Sequence, residues 1–177
     1  MKAFFLSLAV LSFQATAAGY GPWQFGMTKS DVSSVQGYAP YSEVQATGGL
    51  ETANGEWAGK KKYVSFIFDS RGLSRIQVWV YEGPNINDAG ESWREAYEYL
   101  NKNFGEIEVP QIIQDASSLP ANSQALSLAA KAHVDSVGKV QMAPKAMPDG
   151  QSIFSSFMKS NVQGKPYYYV FVYYSRP

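Results

Sequence analysis

Apolar and polar residues alternate along Lys62–Asp69 (KYVSFIFD) and, after Ser70-Arg71-Gly72, alternate again from Leu73 to Tyr81. Period-two runs joined by a short turn predict a β-hairpin. Its inner face would carry Val64, Phe66, Phe68, Ile76, Val78 and Val80. The other face, with Tyr63, Ile67, Arg75, Gln77, Trp79 and Tyr81, is polar yet aromatic. The pattern then changes period. Trp93, Tyr97, Leu100 and Phe104 recur at helical spacing behind Asp88-Ala89-Gly90-Glu91, an acidic capping box, and predict a helix over about 89–104 stopped by Gly105. A weaker helix is expected over 122–137, with Leu126, Ala130, Val134 and Val137 on one face. Near the front, Thr28 and Asp31 form another capping box, with Met27 and Val32 placed as a hydrophobic staple, which predicts a short helix over 29–36 closed by Gly37.

The chain closes with Ser152–Lys159 and Tyr167–Arg176, the second reading YYYVFVYYSR between Gly164 and the end, and these predict a C-terminal hairpin. Strands outnumber helices and neighbours are joined by short turns. The expected fold class is therefore α+β, a mainly antiparallel sheet with two or three helices packed on it. The length suits one domain over residues 19–177, or two intimately packed halves, 19–109 and 110–177.

The first eighteen residues stand apart from this pattern. Lys2 precedes the uninterrupted apolar run Ala3–Phe13, and Gln14–Ala18 ends in small residues. That is the layout of a secretory signal peptide over residues 1–18, cut after Ala17 or Ala18. The apolar run falls well short of the roughly 20 residues that cross a bilayer as a helix, so a retained span is not expected. The chain has no cysteine. Disulfides, thiolate metal sites, a cysteine nucleophile and a lipid-modified N-terminal cysteine are thereby excluded. A domain of this length buries about two thirds of its surface unaided. Together these features point to a periplasmic or secreted bacterial protein.

Charge removes one partner class. The 15 basic and 15 acidic side chains are scattered apart from Lys60-Lys61-Lys62, and nothing resembles a nucleic-acid footprint. A solvated strand start accounts for the lysine triplet better than an anion site does.

Candidate chemistry is sparse. His133 is the only histidine, so neither an ordinary zinc site nor a two-histidine iron site can be assembled, and no G-x-S-x-G elbow is present. Ser156–Lys159 matches S-x-x-K, but so does Ser136–Lys139, and the companion motifs of penicillin-recognising enzymes are missing. Gly55–Lys61 departs from a phosphate loop at two essential positions, and no dinucleotide fingerprint occurs. The Asn85–Glu91 cluster fails the EF-hand register and is better explained as helix capping. No metal or cofactor is expected. A glycan-directed hydrolase using carboxylates, with Glu51, Glu56 and Glu82 as the acids to watch, is the weaker functional expectation.

The stronger one is aromatic. Tyr167, Tyr169, Phe171 and Tyr173 share one face of the last strand, and Tyr168, Val170, Val172 and Tyr174 share the other. If the β-branched face enters the core, Tyr63, Trp79, Tyr81, Tyr167, Tyr169 and Tyr173 become the candidate binding residues, unless helices cover them as core. Finally, Trp23–Val32 (WQFGMTKSDV) resembles the F-G-M-T-x-x-x-V opening of small envelope modules, among them outer-membrane-assembly lipoproteins of the SmpA/OmlA type and secreted β-lactamase-inhibitor proteins. The resemblance implies a helix packed on an antiparallel sheet and a protein that acts by binding another envelope or secreted protein. It transfers no functional residue, and it spans about ten residues.

Overall fold

The computed structural model describes residues 18–112 and 122–177. All but the last residue of the expected export signal lies outside the described residues. A two-residue hairpin, β1 (Gly19–Tyr20) with β2 (Trp23–Gln24), leads into helix α1 (Lys29–Ser34). The expected capping box forms: the Asp31 amide donates to Thr28 Oγ1 at 3.2 Å, and the Thr28 amide donates to an Asp31 carboxylate oxygen at 2.9 Å. Val32 is the one fully buried residue of α1. The helix stops short of Gln36 because Val35, half-buried against the core, takes an extended conformation. With so little packing the cap matters. Thr28→Ala is expected to lower stability by about 1 kcal/mol, read as a shift in the urea midpoint at unchanged slope.

The main sheet contains β3 (Ser42–Val44), β4 (Gly49–Trp57), β5 (Lys60–Asp69), β6 (Gly72–Gly83), β7 (Ile107–Glu108), β8 (Lys139–Pro144), β9 (Ser152–Val162) and β10 (Lys165–Ser175). Their order is β3-β4-β5-β6-β10-β9-β8-β7, and every neighbouring pair is antiparallel. The α+β architecture expected from the patterning is present. The chain contributes a helix and a three-strand meander twice, α1 with β4–β6 and then helix α3 (Ser123–Val137) with β8–β10. The last strands of the two meanders, β6 and β10, meet at the centre of one continuous sheet.

Both predicted hairpins form. In β5–β6, Val64 pairs with Val78 and Phe66 with Ile76, all four fully buried. A bulge between Ile67 and Phe68 changes the register, so Leu73 is the residue driven fully into the core and Phe68 is only half-buried. At the C-terminal hairpin, Gln163 and Gly164 both take positive φ (52° and 80°), as a two-residue turn matched to strand twist requires.

Helix α2 (Ile86–Phe104) begins earlier than the Asp88 box implied. Asn85 caps it by accepting from the Asn87 amide at 2.9 Å. Its buried stripe, Ala89, Trp93, Ala96 and Leu100, lies over β6, β8 and β10. Helix α3 packs beside it, and the approach is close: Ser127 Oγ donates to the Gly90 carbonyl at 2.7 Å, and a Cβ on Gly90 would stand 2.6 Å from the Lys131 side chain. Leu126, Ala130 and Val134 are buried as expected. Val137 is not, because it sits in the last turn before the left-handed Gly138 cap, where the chain turns into β8, and it is 67% exposed. The N-terminal segment covers the rest of this sheet face, with the Trp23 ring 4.9 Å from Phe66 and 4.6 Å from Tyr38.

Candidate functional site

Strand alternation sends Tyr168, Val170, Val172 and Tyr174 under the helices, where all four are buried. The odd-numbered residues of β10 therefore emerge on the opposite face. They meet aromatic residues from three neighbouring positions in the sheet. Tyr63 pairs with Trp79, Trp79 with Phe171, and Tyr173 with Phe154. The rings form an unbroken series: Tyr63 to Trp79 at 6.0 Å, Trp79 edge-on to Phe171 at 4.8 Å, Phe171 to Tyr173 at 5.7 Å, and Tyr173 stacked on Phe154 at 4.6 Å. Tyr169 stacks on Phe171 at 5.6 Å, and Tyr167 adjoins Tyr169 at 5.3 Å.

Burial grades across the cluster. Phe171 is its floor at 6% exposed, Tyr63 is the most open at 37%, and Trp79, Tyr167, Tyr169 and Tyr173 are half-buried. The indole of Trp79 is held in one orientation by its N–H, which donates to Ser65 Oγ at 3.0 Å. Charge is distributed unevenly around the rings. Burial, then the Glu51 carboxylate, pushes the Tyr63 hydroxyl up to about 12. Tyr167 is raised by burial and then by the charge of Glu82. At the other end Arg75 lies 6.0 Å from the Tyr173 ring, opposing the upward push that burial gives that hydroxyl.

Five of the six residues expected from sequence thus share one contiguous cluster. Tyr81 does not join it. A register shift in the β6–β10 pairing places Tyr81 opposite buried Val170, and its hydroxyl bonds the backbone of Asn85 at the start of α2. Phe154 and Phe171 complete the cluster in its place. Phe171 was legible from the alternation of β10, whereas Phe154 sits in IFSSF, where apolar residues do not keep period two.

Other candidates resolve into structural roles. Ser156 lies in β9 opposite Phe171, while the Lys159 amine is held by Asp135 at 2.6 Å, so the S-x-x-K pair shares no site. Ser156 is 1% exposed, and among the described residues its hydroxyl has no partner. Ser156→Ala is therefore expected to raise stability by about 1 kcal/mol in urea unfolding, since it removes a buried unpaired hydroxyl. The Asn87 side chain accepts from Lys131, and among the described residues no three His, Asp or Glu side chains are grouped to hold a metal. Lys60 pairs with Glu95 and Lys62 donates to the Val80 carbonyl, so these two lysines are engaged locally. Glu51 and Glu82 border the aromatic face, whereas Glu56 stands opposite Lys61 in the β4–β5 ladder and its backbone carbonyl accepts from the Tyr20 hydroxyl. Among the described residues no helix is long and apolar enough to cross a membrane.

No family model, no curated protein and no solved structure matches the chain.

Proposed function

We propose that this is an exported protein of the bacterial envelope that binds another envelope or secreted protein, as an inhibitor or assembly factor, through the aromatic sheet face. The observation that carries this reading is the ring series from Tyr63 to Phe154 on the side of the sheet away from the helices. It crosses four adjacent strands, about 15 Å at ordinary strand spacing. Such a surface suits a protein partner better than a small ligand, which prefers a concave pocket. Half-buried aromatic rings already fixed by their neighbours lose little freedom on binding, and such anchors dominate interface energetics. Glu51 and Glu82 on one flank and Arg75 on the other would orient the partner. The likeness of residues 23–32 to the opening of protein-binding envelope modules adds weight.

The test is affinity capture from an envelope extract of the source organism, run with the wild-type protein and with Trp79→Ala, and with purified cell-wall sacculi incubated in parallel. A saturable protein partner that the variant fails to capture supports the proposal. Release of soluble glycan with no partner captured overturns it in favour of a carboxylate hydrolase.

A further inference from the structure

We draw no further inference here: the strongest candidate, the pocket of about 340 Å³ at the end of the sheet where Arg71, Arg75 and Arg176 gather, carries nothing, because Asp69 holds Arg176 through both carboxylate oxygens and Arg75 lies over the Tyr173 ring of the aromatic face already described, so among the described lining residues one exposed arginine, Arg71, is left to neutralise an anion.

Discussion

Trp93→Ala is expected to remove about 3–5 kcal/mol of stability, a large share of the roughly 5–15 kcal/mol that holds an ordinary domain folded. Trp93 is fully buried in α2, and its ring lies 6.0 Å from Phe157 of β9. That position is mechanical as well as hydrophobic. Helix α2 is the element that spans β6 and β10, the central strands through which the two meanders join, and it also supports α3. An indole-sized void would lie beneath the helix, with Gly90 and Ser127 already holding α2 and α3 too close for either helix to settle into it. Trp93→Phe makes the comparison sharp. Among the described residues the indole N–H of Trp93 has no hydrogen-bond partner, so phenylalanine keeps most of the ring while losing no bond seen there. Its cost should be about 1–2 kcal/mol. Urea unfolding followed by far-ultraviolet circular dichroism measures both. A loss below about 1 kcal/mol for the alanine variant would mean that α2 does not depend on this side chain.

Strong periodicity made much of the architecture legible. The β5–β6 and C-terminal hairpins, and the helices containing Trp93 and Leu126, each bury one face of a regular element, and burial of one face is what writes a period into sequence. Strand β4 left no such trace. Its sequence, GLETANGEW, is polar and glycine-rich, and a register shift between Thr52 and Gly55 breaks the alternation of its buried residues. Gly55 is there for contact, since a Cβ would collide with the Val64 side chain and stand 2.9 Å from the Lys62 carbonyl. Bulges account for the errors of detail as well. One exchanged Phe68 for Leu73 in the core, and another carried Tyr81 out of the aromatic cluster. A single inserted residue is invisible to a period count yet reverses which face a side chain takes. The tyrosine cluster on the helix side was illegible for a different reason: Tyr20, Tyr38, Tyr99 and Tyr174 are spread along the chain and converge only when the N-terminal hairpin folds back on the sheet.

Trp79→Ala is expected to weaken capture of the proposed envelope partner by about thirtyfold or more, the loss of about 2 kcal/mol or greater that marks an interface hot spot. Trp79 is the junction of the cluster, touching Tyr63, Tyr169 and Phe171 at once, and its indole is oriented by Ser65 before any partner arrives. Removing it deletes contact area and also frees the surrounding rings to move. Tyr169→Ala should act in the same direction and less than additively with Trp79→Ala, because the two rings are in contact. Both side chains lie half-buried on the face away from the helices, so each variant should still unfold cooperatively and lose less stability than Trp93→Ala. Tyr81→Ala separates surface chemistry from general damage. Tyr81 is an aromatic residue of the same strand, but its hydroxyl serves the start of α2, so its removal should lower stability while leaving capture intact. Cooperative folding with lost capture in the first two variants, and retained capture in the third, would place recognition in the rings themselves. If Trp79→Ala and Tyr169→Ala both unfold, the cluster is part of the core and partner binding must be sought on another surface.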